Sequence, residues 1–545
     1  MLVVIQMAKN NKGEIKIEDI SKPVSQMIKL SLKDLMTLPP PYDKPGMEPE
    51  FTEPKPEWRE KYITELDGYI AIDIPWKPKT KEEEKKLIET FLNGLKNLLS
   101  REGNWTFLQP LLLSLDYCAK CQTCSEACPI YISSGRKEIY RPTYRSEVLR
   151  RIYKRYLTPS GKILGEFISG NIELNANTII RLAELSYRCT LCRRCTQTCP
   201  IGIDNGLITH EIRKLFSSEM GIAPKPLHEL GSIQQLKIGS STGMSPEAFK
   251  DIIKFIEDEL IPEKYGKKIK IPIDEKNADI LLIHNAGEFL SWPENPAAFA
   301  ILFEEAGISW TLSSDLVGYD AVNYGVWYDD IQLARVAVKH AEVARKLNVK
   351  KIVVGECGHA HKALTVIADR VLHDELNIPR ESCLPILWDI VKKEKINLDP
   401  NKNNFPVTLH DPCNIVRLMG IVEPQRNILR KLCPQFREME PHGVYNYCCG
   451  GGSGFAIMQS MNFPEWRSKI ASRMKFKQIL SAFQENISSD IPKYVCAPCS
   501  NCKGTLRDML NHYKATERCH IYYGGLADLI VNAMVDLKKP FIEFH

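Results

Sequence analysis

Eighteen of the 545 residues are cysteine, and eight of these form two copies of one phrase. The copies are Cys118-x-x-Cys121-x-x-Cys124-x-x-x-Cys128-Pro129 and Cys189-x-x-Cys192-x-x-Cys195-x-x-x-Cys199-Pro200. Three closely spaced thiols, then a fourth followed by proline, is the spacing that wraps a cubane 4Fe-4S cluster. Zinc sites instead take four ligands from paired CxxC or CxxH groups. A second constellation lies near the C-terminus: Cys413, the adjacent pair Cys448-Cys449 followed by Gly450, and Cys496-x-x-Cys499. Adjacent cysteines diverge in side-chain direction, which suits two fused iron centres better than one cubane. Gly450, Gly451, Gly452 and Gly454 allow close backbone approach and N–H donation to sulfur. The run lacks the Gly-Lys-Ser/Thr ending of a phosphate loop.

The bulk properties agree with a metal-bound set of thiols. Disulfide frameworks belong mostly to small secreted domains, and Met1 to Met7 is too short for a signal peptide and has no basic leader. The expectation is a reducing, cytoplasmic setting. With 44% hydrophobic and 26% charged residues, the chain can bury several cores. A net charge of +5 gives no global field for nucleic acid, and no nucleic-acid partner is expected. No apolar run approaches a spanning helix, so the expected location is the cytoplasmic face of a membrane, peripheral and reached through a partner.

Ahead of the cysteine runs, the first 104 residues read as a proline-rich arm ending in an amphipathic helix, for binding a partner subunit. In that helix Leu87, Phe91, Leu92, Leu95 and Leu98 recur at helical spacing. Residues 105–235 form a helical ferredoxin-like domain, with Val148, Leu149, Ile152, Tyr153 and Tyr156 on one helix face. If the fourth cysteines cross over, as in two-cluster ferredoxins, one cubane takes Cys118, Cys121, Cys124 and Cys199. The other takes Cys189, Cys192, Cys195 and Cys128. The basic stretch Arg136 to Arg155 reads either as a docking face for an acidic partner or lipid, or as a solvated helix face. Residues 236–275 read as a linker.

The remainder reads as a duplication, 276–398 and 399–545. Ile280 to Gly287 resembles Val407 to Cys413, Val353 to Gly358 aligns with Tyr494 to Cys499, and Lys362-Ala363-Leu364 with Lys503-Gly504-Thr505. Short apolar strands alternating with helices imply two α/β units. In this register Gly287 stands for Cys413, Asn323-Tyr324-Gly325 for Cys-Cys-Gly, and Gly355 and Gly358 for the CxxC pair, so 276–398 is a degenerate half without a cluster. The whole is expected to be α/β plus α-helical: a helical two-cluster ferredoxin-like domain, then a duplicated α/β domain, with an extended N-terminal arm.

Ordered in this way, Cys413, Cys448-Cys449-Gly450, Cys496 and Cys499 make up a CCG pattern, and with the ferredoxin-like section the chain resembles the heterodisulfide-reductase catalytic-subunit family over residues 105–535. The resemblance implies one noncubane 4Fe-4S cluster on Cys413, Cys448, Cys449, Cys496 and Cys499, besides two cubane 4Fe-4S clusters, and a disulfide-type substrate split there by one-electron steps. The spacer from Cys449 to Cys496 is longer than is usual there, which suggests a surface insertion near Ser460 to Asp490. The long arm, two cubanes and single intact CCG half look most like the K subunits (DsrK) of the Hdr-like menaquinol-oxidising Dsr membrane complex of sulfate reducers. That likeness implies a haem b membrane subunit oxidising menaquinol, further subunits of a membrane redox complex, and a small DsrC-like sulfur-carrier protein whose trisulfide is the substrate.

Splitting a sulfur–sulfur bond into two thiols also needs protons. Glu356, His359 and His361 are the expected donors, with His284 and His410 behind them. Cys502 is a possible spare ligand or sulfur partner, as is Cys357, whereas Cys383, Cys433 and Cys519 read as structural. Two alternatives remain open: reduction of a heterodisulfide of thiol cofactors, or a relay subunit of a quinone-linked glycolate, lactate or glycerol-3-phosphate dehydrogenase. A scaffold with zinc or nothing in the CCG half is the non-catalytic reading.

Overall fold

The computed structural model describes residues 15–23, 29–53, 56–57, 77–100, 111–169, 172–315, 324–454 and 464–544. These fall into two compact units. The first draws on the chain up to Leu38, on Glu48–Pro224 and on the segment ending at Met474; the second on Pro39–Met47, Lys225–Ile457 and Lys475–His545.

The described elements of the first unit are helical. Proline opens the helices Pro129–Ser133 and Pro142–Ile152, where its missing N–H costs nothing. Val148, Leu149 and Ile152 bury their side chains as their period requires, alongside Leu182, Leu185, Ile208 and Ile212. Tyr153 and Tyr156, expected on the same face, are only half-buried, because the helix changes to π winding over Tyr153–Leu157. The amphipathic helix Lys81–Leu98 is capped by Thr80 and buries Leu87, Phe91, Leu95 and Leu98.

Three stretches expected as arm, linker and insertion pack into the fold. Over its described residues the N-terminal arm lies on its own chain. Ile15, Ile20, Leu30, Leu35 and Leu38 are buried, Tyr144 Oη donates to Lys16 O at 3.0 Å, and Arg473 grips Glu48 at 2.6 and 2.7 Å. In the second unit Tyr42 is buried, donates to Tyr513 O at 2.7 Å and packs edge-on against Phe476. Apolar side chains spaced between the prolines give this segment a core to join; residues 1–14, 24–28, 54–55 and 58–76 lie outside the described set. The expected linker is instead helix, Pro246–Phe255 continuing through Leu260, with Phe249, Ile253 and Ile256 in the main core of the second unit. The expected surface insertion is a buried helix: Trp466, Ile470, Phe476 and Ile479 are fully enclosed, while Ser460 to Phe463 lie outside the described residues.

Much of the basic stretch is answered within the fold. Arg145 and Arg150 are buried, and ion pairs join Arg136 to Glu126 (3.1 Å), Lys137 to Asp34 (3.0 Å), Arg141 to Glu138 (2.5 Å) and Arg151 to Glu147 (3.3 Å).

The second unit contains the duplication. One four-stranded parallel sheet is built from β1 (Ile280–Ile283), β2 (Trp310–Thr311), β3 (Lys351–Val354) and β4 (Arg380–Ser382) in the order β2-β1-β3-β4. The other, from β5 (Val407–Leu409), β6 (Phe436–Arg437), β7 (Lys493–Cys496) and β8 (Ile521–Gly524), has the matching order β6-β5-β7-β8. Ile283 pairs with Val354, and Leu409 with Cys496. These pairings fix the structural register: Val354 matches Cys496, Cys357 matches Cys499 and Ala360 matches Cys502. Both loops confirm it, with Cys357 N donating to Gly355 O and Cys499 N to Ala497 O, each at 2.7 Å. The alignment read from sequence is therefore one residue off at this point, and the degenerate half keeps one thiol of the pair.

Candidate metal centres

In the first unit, the two cysteine runs repeat an uncommon backbone. Lys120 and Gln122 in the first, and Leu191 and Arg193 in the second, all lie at positive φ, 55°, 66°, 50° and 58°. Non-glycine residues adopt this region seldom, and here it curls each loop around the space its thiols surround. The Cys124 thiol is pushed up to about 11 by burial and by the neighbouring Cys118, Cys199 and Cys121. The Cys128 thiol is pushed up to about 12 by burial, with Cys192 and Cys189 beside it; Cys195 is raised by burial and by Cys192, Cys189 and Cys128. Thus the fourth cysteine of each run sits with the other run's first three. Backbone N–H groups already point at sulfur, Leu191 to Cys189 Sγ at 3.4 Å and Ile203 to Cys199 Sγ at 3.2 Å. Four thiols in a loop that presents N–H donors fit a 4Fe-4S cluster.

In the second unit the thiols gather where strands meet helices. Cys448, Cys449, Cys499 and Cys502 are buried and Cys413 is half-buried. His410 Nε2 lies 3.3 Å from Cys502 Sγ, and one ligand atom each from His410, Cys449 and Cys502 falls within 4.8 Å of the others. The Cys449 thiol is drawn down by hydrogen bonds from Cys448 and Cys502, and Cys499 by one from Cys502. Cys413 opens the helix Cys413–Leu418; its neighbours Pro412 and Asn414 flank Gly358, which stands against Cys499. The stem before Cys413 is pinned by Arg426, which holds both oxygens of Asp411 at 2.7 and 2.6 Å.

Glycine is needed at Gly451, because a Cβ there would collide with Thr505 Oγ1. The CCG loop thereby lies flat on the helix Ser500–His512 and turns N–H groups to sulfur, Gly450 to Cys448 at 3.3 Å and Gly451 to Cys449 at 3.5 Å. The degenerate half supplies a third, Gly358 N to Cys499 Sγ at 3.2 Å. Buried thiols with such donors in place fit an iron–sulfur cluster.

Several site expectations change. Cys496 is fully buried in the main apolar core with Tyr494 and Cys433, because residues two apart on β7 share a face. The thiol that joins Cys449 and Cys499 is Cys502, one helical turn on. His361 is spoken for on both nitrogens, Nδ1 by Cys357 O at 2.7 Å and Nε2 by Ser382 Oγ at 2.8 Å. Glu356 caps the helix Leu526–Asn532, accepting from the N–H of Leu526 (3.0 Å) and Ala527 (2.8 Å). It lies among Glu288, Asp528 and Lys503, where burial pushes its carboxyl up to about 8. His284 is buried between Phe289 and Phe299 and is held neutral. Only His359 of the three first-named donors faces the thiols. Burial takes it down to about 4 against the opposing influence of Cys449, its ring packs on Trp327 at 4.9 Å, and Nδ1 has no hydrogen-bond partner among the described residues. Asn323 and the side chain of Tyr324 lie outside the described residues.

Sequence reasoning missed one residue. Lys475 is fully buried and donates to Asn446 Oδ1 at 2.7 Å and to Gln478 Oε1. Burial draws its amine down to about 7, while Asp411, Cys449, Cys448 and Cys502 act in the opposite sense. A lysine within a helix carries no sequence signal of such a position.

Comparison with known proteins locates a 4Fe-4S dicluster domain at residues 114–203 and a cysteine-rich CCG domain at 407–507. The Hdr-like menaquinol oxidoreductase iron-sulfur subunit 2 of Archaeoglobus fulgidus is 26% identical, over 82% of this chain and 83% of its own. One polypeptide of the dihydromethanophenazine:CoB–CoM heterodisulfide reductase of Methanosarcina acetivorans is 26% identical, over 74% of this chain and 91% of its own. The EtfAB:quinone oxidoreductase of Syntrophomonas wolfei is 22% identical, over 78% of this chain and 58% of its own. No helix among the described residues is long and apolar enough to cross a membrane.

Proposed function

Since the chain belongs to the heterodisulfide-reductase-like family of CCG iron–sulfur oxidoreductases, we propose that it is the subunit that reduces a sulfur–sulfur bond with electrons drawn from membrane quinol. The observation that carries this reading is the convergence of Cys448, Cys449, Cys499 and Cys502 beneath three backbone N–H donors, with Cys413 at the more open side. These five would hold the noncubane cluster, with Cys502 in place of Cys496. Cys118, Cys121, Cys124 and Cys199, and Cys189, Cys192, Cys195 and Cys128, would hold the two cubanes. Bound there, the noncubane cluster supplies one-electron chemistry at sulfur.

The protein's own groups do the rest. The N–H groups of Gly358, Gly450 and Gly451 take up charge on the thiolates as electrons arrive. His410 orients Cys502. His359, with Nδ1 unpaired among the described residues, relays a proton from solvent to the departing thiolate, taking one up at one ring nitrogen as it releases the other. Arg426 fixes Asp411 and so the strand-to-helix turn that presents Cys413. In this reading the substrate is a disulfide or trisulfide, the latter on a small DsrC-like carrier protein, and the electrons come from a haem b membrane subunit that oxidises menaquinol at the cytoplasmic face. The names of the Archaeoglobus and Methanosarcina relatives support quinol or heterodisulfide chemistry of this class.

The test is metal analysis with EPR on anaerobically purified chain. Iron in excess of two cubanes, with a further paramagnetic centre after thiol oxidation that Cys449→Ser removes while sparing the cubane signals, is expected. Eight iron atoms, all in ferredoxin-type centres, would overturn the reading and leave a relay.

A further inference from the structure

We propose that Lys475 is a positioning residue that sets the reduction potential of the CCG centre: a buried amine, tied to the CCG loop through Asn446, whose positive charge favours the reduced state. The inference rests on the reading above that these thiols hold a cluster.

Burial draws the amine down to about 7 while the CCG thiols act in the opposite sense, so a negative centre on those thiols favours the charged amine. Lys475 has no exposed surface, and its oxygen partners, Asn446 Oδ1 and Gln478 Oε1, are neutral acceptors, with Met439 Sδ at 3.5 Å. Neutral acceptors orient an ammonium without cancelling it. Among the described residues no carboxylate forms an ion pair with Lys475. Asp411, the carboxylate that acts on it, is already committed to Arg426 and to Gly443 N at 2.7 Å. A buried cation is costly unless opposite charge answers it, and the negative groups that act on this one are Asp411 and then the CCG thiols Cys449, Cys448 and Cys502. In a low-dielectric interior such a charge acts strongly. Each electron added to the centre makes it more negative, so the ammonium stabilises the reduced form. Asn446, two residues before Cys448, ties this amine to the CCG loop itself, and Arg417 holds the Asn446 carbonyl in turn.

The experiment is an EPR-monitored redox titration of the full, cluster-loaded chain as wild type, Lys475→Met and Asn446→Asp. Lys475→Met keeps the volume and removes the charge; Asn446→Asp keeps the lysine and sets a carboxylate against it at nearly constant volume. Both are expected to shift the CCG equilibrium at least tenfold toward the oxidised form, about 59 mV lower for one electron, with the cubane potentials unmoved as internal reference. A purely structural lysine would change stability or cluster yield and leave the potential where it was. If Lys475→Met does not assemble the centre, Lys475→Gln, which removes the charge but keeps a polar head beside Asn446 and Gln478, decides in its place. An assembled variant centre at the wild-type potential overturns this inference. A wild-type chain with no CCG signal overturns the underlying reading, and this inference with it.

Discussion

Val354 and Cys496 end equivalent strands in the two α/β halves, and both are fully buried. Three residues on, Cys357 and Cys499 occupy equivalent loops; another turn on stand Ala360 and Cys502. At the first strand's exit Gly287 answers Cys413. The half with alanine and glycine at these places keeps the same strand order and parallel register as the half with thiols. The fold therefore does not require Cys413 or Cys502, as their proposed ligand role leads one to expect. Cys496 is the reverse case, a cysteine at a position that the other half fills with valine.

The sharpest way to break this contrast is to exchange the two cysteines' fates. Cys502→Ala is expected to abolish the CCG centre and at least a hundredfold of disulfide reduction, while leaving both cubane signals. Cys496→Ala is expected to keep the centre and cost about 1 kcal/mol of stability, as a small core truncation does. EPR and a urea melt of each variant read the two outcomes; loss of the centre in Cys496→Ala alone would restore the ligand pair read from sequence. Cys357→Ala, in the degenerate half, should likewise leave the centre in place.

The halves also exchange charge. Lys503, from the cluster-bearing half, is fully buried against Glu288 of the other at 2.6 Å. Lys503→Met leaves that carboxylate without its cation and is expected to destabilise the second unit by about 3–5 kcal/mol. Adding Glu288→Gln should recover a substantial part, because the uncompensated charge, not the missing contact, is the larger loss. Chemical denaturation of the single and double variants measures it. Gly451→Ala comes next, at about 1–3 kcal/mol: the new methyl meets Thr505 Oγ1. Thr505→Ala should relieve part of that, visible as a partial return of Tm.

Much of this was legible in the residues. The grouping of the eight ferredoxin-type thiols was legible: Cys199 lies with Cys118, Cys121 and Cys124, and Cys128 with Cys189 and Cys192, as a two-cluster spacing leads one to expect. The duplication was legible too, since strand-then-turn apolar patterns survive divergence. The CxxC register was not. Cys496-x-x-Cys499 and Cys499-x-x-Cys502 are indistinguishable as strings, and only the strand's alternation, with Cys496 and Tyr494 on one face, separates them. The buried helix at Trp466 was read as an insertion because the Cys449–Cys496 spacer is long, and the helix at Phe249 as a linker because its sequence is polar; the Lys475 case shows that a polar residue can point inward. Glu356 and His361 drew attention by type, but type does not reveal that a helix N-terminus and a serine already occupy them.

The smallest effect tests whether the interface between the halves stores protons. Burial raises the Glu288 carboxyl to about 7 and Glu356 to about 8, from ordinary values near 4.5, while Lys503 is held charged by the carboxylates around it. A carboxyl whose folded value is raised binds its proton more tightly when folded, so its contribution is complete below pH 4.5 and is lost as pH rises through about 7 to 8. Stability of the second unit is therefore expected to fall between pH 5 and pH 8, with a slope of up to about 1.4 kcal/mol per pH unit for each proton released. Because the carboxyls share one ammonium, the slope belongs to the cluster rather than to either residue. Glu356→Gln mimics the protonated form. Its amide can be accommodated if Asn295 turns over, since Asn295 Oδ1 has no hydrogen-bond partner among the described residues and Nδ2 now donates to Glu356 at 3.3 Å. Urea melts at pH 5, 6.5 and 8 should show a shallower decline in Glu356→Gln than in wild type. Parallel profiles would mean that Glu356 is ionised throughout and that its two N–H donors from the helix Leu526–Asn532 outweigh its burial.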